Sequence, residues 1–143
     1  MSDTASGQAP RLPAEIHLTA TDPRFRSGLP TWLRVPLDGC TRGAIREAAV
    51  VLGELVGNAF DHAAPPYRVR VTGRSSGHLI RLSVTDSSPG PADGWQLGRG
   101  LRLVRAMCPQ WGVEPARVRG IAGKTVWAQL RVLVPPSAAG RSS

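Results

Sequence analysis

Apolar and polar positions along this chain change period several times, and each change marks an expected element boundary. Over residues 15–20 apolar and polar side chains alternate, the period of two that places them on opposite faces of a strand, and Asp22-Pro23 stops the run. Residues 24–38 carry Phe25, Leu29, Trp32 and Leu33 at loose helical spacing, while Pro30 and Pro36 permit only a short or broken helix. Thr41 is a good helix cap. Beyond it, over residues 43–62, Ile45, Ala48, Leu52, Leu55 and Ala59 recur every three or four positions, with Ala49, Val51, Val56 and Phe60 widening the stripe. This pattern predicts a long amphipathic helix, closed by Ala63-Ala64-Pro65-Pro66.

Tyr67, Val69 and Val71 then alternate with Arg68, Arg70 and Thr72, and residues 78–85 repeat the pattern with Ile80, Leu82 and Val84 on one face. The turn Gly73-Arg74-Ser75-Ser76-Gly77 between them predicts an antiparallel hairpin. Residues 86–98 are too dense in Gly and Pro for regular structure, and helical spacing returns over 100–108 through Leu101, Val104 and Met107. Trp111-Gly112-Val113 and Arg117-Val118-Arg119 read as short strands, and residues 124–134 alternate strictly. With no internal repeat and no βαβ repetition, the order predicts an α+β two-layer sandwich, its helices on one face of a mostly antiparallel mixed sheet.

Length and composition narrow this picture. The 143 residues suit one domain, and 41% hydrophobic with 20% charged residues excludes wholesale disorder. Residues 1–13 and 135–143, poor in large apolar side chains, read as disordered tails around a domain spanning 14–134. No apolar run reaches the roughly 18–20 residues that span a bilayer, and the first residues lack the basic and apolar regions of an export signal. A cytoplasmic protein with no membrane partner is expected. Cys40 and Cys108 have neither the spacing nor the number of a disulfide framework or zinc site and read as reduced packing residues. The net charge of +8 raises nucleic acid as a partner, but the charge is almost all arginine, scattered from Arg11 to Arg141 without interleaved aromatics. A solvated basic surface with no direct nucleic-acid contact is the simpler expectation.

Four places carry candidate chemistry. Glu54 and Asn58, four apart on the long helix, share a face that His62 continues; together a carboxylate and a carboxamide can hold a hard cation through oxygen and orient a hydroxyl. A solvent-facing helix stripe has the same spacing. Asp86 ends a strand at the mouth of a Gly/Pro loop, where it serves either as a fixed acceptor or as an ordinary turn former. Gly98-Arg99-Gly100-Leu101 opens a helix and offers free N–H groups to phosphate oxygens, though a plain loop reads the same way. Gly123-Lys124-Thr125-Val126-Trp127 places a hydroxyl just inside a strand; it is not a P-loop, since GxxxxGK[ST] before a helix is absent.

Taken in order, these segments resemble the boxes of the Bergerat-fold (GHKL) ATPase family, over roughly residues 44–130. Glu54-Leu55-Val56-Gly57-Asn58-Ala59 with His62 is similar to its N-box, Asp86-Ser87-Ser88-Pro89-Gly90 to its first glycine box, Gly98-Arg99-Gly100-Leu101 to its second, and Gly123-Lys124-Thr125-Val126-Trp127 to its last. The ExxxNAxxHA form looks most like the stand-alone actinobacterial branch of anti-sigma factors that are also serine kinases. The resemblance implies the Bergerat ATP-binding fold, with ATP and Mg²⁺ as cofactors and a sigma factor and an anti-anti-sigma (STAS-type) switch protein as partners. A homodimer is within the habits of the branch. By the same resemblance Asn58 ligates Mg²⁺, Glu54 is the catalytic base, Asp86 reads adenine with Thr125 in support, and Gly90, Gly98, Arg99, Gly100 and Leu101 belong to the nucleotide site.

The sequence also departs from that pattern. Serine stands at position 88 where the first box usually has glycine, the loop from Asp86 to Gly98 is short for an ATP lid, and Pro30 and Pro36 break the segment before the N-box. These departures leave a second expectation beside the kinase, a catalytically weak, nucleotide-gated protein-binding module of the same fold, and the basic charge leaves a third, a small nucleic-acid-binding protein.

Overall fold

The computed structural model describes residues 13–73, 78–89 and 101–132. The expected tails, except Pro13 at one and none of the other, lie outside these residues. The first strand, β1 (Ala14–Leu18), is followed by two short helices, α1 (Pro23–Ser27) and α2 (Leu29–Trp32). Asp22 caps α1, its carboxylate accepting from the N–H groups of Arg24 at 3.0 Å and Phe25 at 3.2 Å. Pro23 and Pro30 each sit in a first helical turn, where a missing N–H costs nothing, so the prolines divide the segment without unfolding it. Leu29, Leu33 and Leu37 keep a spacing of four through α2 and the turns after it, and all three are buried.

The long helix α3 (Arg42–His62) begins where Thr41 Oγ1 accepts from the Ala44 N–H at 3.0 Å. Its buried face comprises Ala44, Ala48, Val51, Leu52, Leu55, Val56 and Ala59, and a cis bond joins Pro65 to Pro66 beyond its end. Next come β2 (Tyr67–Gly73), β3 (Leu79–Asp86), α4 (Leu101–Met107), β4 (Gln110–Val118) and β5 (Ile121–Arg131). The five strands form one sheet in the order β1-β2-β3-β5-β4, and every pairing is antiparallel. The fold is therefore α+β, with an antiparallel sheet where the pattern suggested a mixed one.

Alternation assigns the two faces. Ile16, Val69, Val71, Ile80, Leu82, Val84, Val126, Ala128 and Leu130 point toward the helices and join the buried face of α3 in one core. The other face carries Arg68, Arg70, Arg81 and Trp127, with the Arg81 guanidinium 4.4 Å from the centre of the Trp127 ring. The two short strands expected at Trp111 and Arg117 are a single nine-residue strand, β4, which continues through Pro115. Proline is tolerated there because, among the described residues, β4 is an edge strand paired with β5 alone. Arg119 and Gly120 connect β4 to β5 with φ of 51° and 81°, the pair of left-handed residues that a tight two-residue hairpin requires. Among the described residues no helix is long and apolar enough to cross a membrane.

Both cysteines are free. Burial pushes the Cys108 thiol up to about 11, and burial together with the nearby Asp38 raises Cys40. At pH near 8 Cys108 is therefore a neutral thiol, and iodoacetamide followed by mass spectrometry should label it only when denaturant is present. Leu52, with none of its surface exposed, lies where α3 meets the sheet. Leu52→Ala should lower stability by about 2–5 kcal/mol in urea denaturation, with the slope unchanged.

Candidate functional site

Glu54 and Asn58 are half-buried on α3, on the shoulder of the helix beside its core face. Glu54 has a neighbour that spacing did not reveal. Arg26, from α1, lies across α3: its Nε donates to the Gly53 carbonyl at 3.1 Å, and one terminal nitrogen stands 3.9 Å from Glu54 Oε2. Gly57 makes this possible, since a Cβ there would come within 2.5 Å of the Arg26 guanidinium. The legible signal was the pair Gly53 and Gly57, four apart in a helix interior where each glycine costs about 1 kcal/mol relative to alanine. At Gly57 the missing side chain leaves room for an arginine, while a Cβ at Gly53 would only touch Leu29 at 3.9 Å. His62, in the last turn of α3, is exposed.

Asp86 ends β3 on the helix-facing side of the sheet and is 1% exposed. Opposite it in the register stands Lys124, 4% exposed, whose Nζ lies 3.0 Å from Oδ2 and donates to Oδ1 at 3.1 Å. Oδ1 also accepts the Ser88 N–H at 2.9 Å. Burial raises the Asp86 carboxyl above its ordinary range, against the lowering by the Ser88 hydrogen bond and Lys124. It also raises the neighbouring Tyr67 phenol, to which the Asp86 charge adds.

Gly123, just before Lys124, lets β5 approach this corner closely: a Cβ there would run into the Asp86 carbonyl. The glycine of the last box thus serves strand packing against Asp86. Ser88 is equally occupied. Its Oγ accepts the Ala64 N–H at 2.8 Å, and the Ser87 N–H donates to the Ala64 carbonyl at 3.0 Å. Ser87 Oγ also donates to the Pro66 carbonyl at 3.1 Å. The end of α3 and the segment after Asp86 are thereby stitched together. A glycine at position 88 would lose the Ala64 bond, which is a structural reason for serine there.

The remaining candidates divide three ways. Thr125 pairs with Thr85 across the strands, their hydroxyls 2.7 Å apart, on the face opposite Asp86. Asp86 and Thr125 are therefore near in register but separated by the sheet. Leu101 opens α4 with its side chain in the core. Gly90, Gly98, Arg99 and Gly100 lie outside the described residues.

Among the described residues no group of three His, Cys, Asp or Glu side chains could hold a metal ion. A protein-only cage is not what Mg²⁺ on a nucleotide needs, since that ion keeps waters and phosphate oxygens and takes one or two protein ligands. The Asn58 amide, one turn from Glu54, fits that donor set. Asp86 fits less openly, because Lys124 and Ser88 already engage its carboxylate. No protein-family model matches the chain, and no curated protein matches it.

The ion pair can be tested directly. Asp86→Ala removes the carboxylate from a buried lysine and should cost about 3–5 kcal/mol by denaturant titration, whereas Asp86→Ala combined with Lys124→Met should recover most of the loss.

Proposed function

We propose that this chain is an ATP- and Mg²⁺-binding regulatory protein of Bergerat type, which captures a sigma factor and phosphorylates a serine of an anti-anti-sigma switch protein. The observation that carries this reading is the junction at Ala64. Its hydrogen bonds to Ser87 and Ser88 tie the helix bearing Glu54 and Asn58 to the strand end bearing Asp86, on the helix side of the sheet. The helix that carries two of the resembling motif residues and the strand end that carries the third are thus hydrogen-bonded to one another through Ala64.

Bound ATP and Mg²⁺ would supply the γ-phosphoryl group and neutralise its charge. In this reading Asn58 ligates the ion through its amide oxygen. Glu54 would take the proton from the seryl hydroxyl that receives the phosphoryl group. Arg26 stands 3.9 Å from the Glu54 carboxylate and helps to hold it in place. Asp86 accepts from the adenine amino group through the lone pairs that Lys124 and Ser88 leave open, since an ionised carboxylate offers about four acceptor sites.

One observation favours the second reading, a nucleotide-gated binding module with weak catalysis. An adenine that bonds to Asp86 must share the carboxylate with a buried lysine, and sharing lowers the gain from each contact. Calorimetric titration of ATP with and without Mg²⁺ tests the site: Asn58→Ala should weaken Mg²⁺-dependent binding at least about tenfold, or 1.4 kcal/mol. Equal affinity in parent and variant would remove both readings. Phosphate transfer to purified STAS-domain proteins, abolished by Glu54→Gln, selects the kinase, and ATP binding without transfer selects the module.

A further inference from the structure

The two margins of the sheet meet at one end. Arg117 and Arg119, at the β4–β5 turn, line a cavity of about 180 Å³ together with His17 and Thr19 at the end of β1 and Arg68 at the start of β2. β1 and β4 are the opposite edges of the strand order, so the cavity is lined from both margins of the sheet. Among the described residues no carboxylate lines the cavity. The one acid of β1, Glu15, is drawn to Arg70 at 3.0 Å and to His17 at 2.6 Å. Arg117 donates to the Gly120 carbonyl at 3.1 Å, which fixes one guanidinium in place. The Nε of Arg68 is buried with no hydrogen-bond acceptor among the described residues.

We propose that this cavity binds a phosphate-type oxyanion, as inorganic phosphate or as a phosphate monoester. Three guanidinium groups around one small space repel one another, and a multiply charged anion converts that cost into attraction. Arginine suits the task because its planar fork gives two parallel N–H donors to two oxygens. The Thr19 hydroxyl adds a neutral donor to the lining. Size is equally selective: the volume lies below the roughly 300 Å³ at which pockets begin to hold drug-sized ligands, yet exceeds that of several waters at about 30 Å³ each. The larger cavity of about 600 Å³ between α2 and α3, lined by Arg34, Arg42 and Arg46, is a poorer anion site because Asp38 stands among its arginines. Glu54, Asn58 and Asp86 do not line the proposed site, so it stands independently of the nucleotide reading.

The test is an NMR titration of the ¹⁵N-labelled full chain with sodium phosphate at constant ionic strength, without nucleotide or Mg²⁺, against sodium chloride. Saturable shifts of the Thr19, Arg68, Val118 and Arg119 amides are expected with phosphate and not with chloride. Arg68→Gln should weaken the response about tenfold. Arg117→Gln, on an exposed residue of the hairpin, should weaken it too and serves if the first variant fails to fold. Parallel titrations with O-phosphoserine and with phosphate distinguish the source: tighter binding of the ester assigns a phosphorylated side chain, and tighter binding of phosphate assigns the free ion. Shifts that grow linearly and equally with chloride, or that neither variant changes, overturn the proposal.

Discussion

The buried pair of Asp86 and Lys124 constrains one whole end of this fold. Two opposite charges at 1% and 4% exposure, directly across from one another, fix the register of β3 against β5. A slip by one residue would carry one of them to the other face and separate carboxylate from ammonium at a cost far above that of any exposed pair. Other features at this end accommodate the pair. Gly123 gives up its side chain so that β5 can lie against the Asp86 carbonyl, Ser88 turns the chain to donate its N–H to the carboxylate, and Ala64 binds the turned segment to the end of α3. Burial raises the Asp86 carboxyl, while the Ser88 hydrogen bond and Lys124 act in the opposite direction. Polar groups kept buried at a cost are where binding chemistry is most economically sought.

Helix α3 connects that corner to the rest of the molecule. Its apolar face fills the core against β3 and β5, its N-terminus is fixed by Thr41, and its shoulder presents Glu54 and Asn58. The shoulder is not open along its length, because Arg26 bonds to the Gly53 carbonyl and fills the space that Gly57 leaves. The short helices α1 and α2, which the prolines make irregular, thus do more than cover the core. They carry a cation to the carboxylate that the motif singles out, while Leu29, Leu33 and Leu37 anchor that cation's scaffold.

Much of this architecture was legible because it rests on local periodicity. The stripe of Ala48, Leu52, Leu55 and Ala59 and the alternations in β2, β3 and β5 became elements close to their expected bounds. What the sequence hid is long-range. Pro115 in β4 argues against a continuous strand unless one knows that β4 lies at an edge, and nothing local says so. Lys124 reads as the plain first residue of a strand until the register sets it opposite Asp86, and Thr125 reads as Asp86's neighbour until alternation turns it to the other face. Arg26 is 28 positions from Glu54, a partnership that only the packing of α1 on α3 creates. The site residues nearest one another in sequence were easily paired on paper, and those paired across strands were not.

The proline in β4 also bears on how this molecule lives among copies of itself. An edge strand of nine residues is long enough to recruit a neighbour's backbone and extend the sheet from chain to chain. Pro115 has no N–H to offer, and exposed Glu114 beside it sets a charge on the same edge, so an incoming strand meets a missing rung at mid-length. The other margin, β1, is only five residues long and carries Glu15 and His17 outward. Both margins thus discourage open-ended stacking, and a crowded solution of this chain is protected from fibril growth by a residue whose place in the strand looked like a flaw.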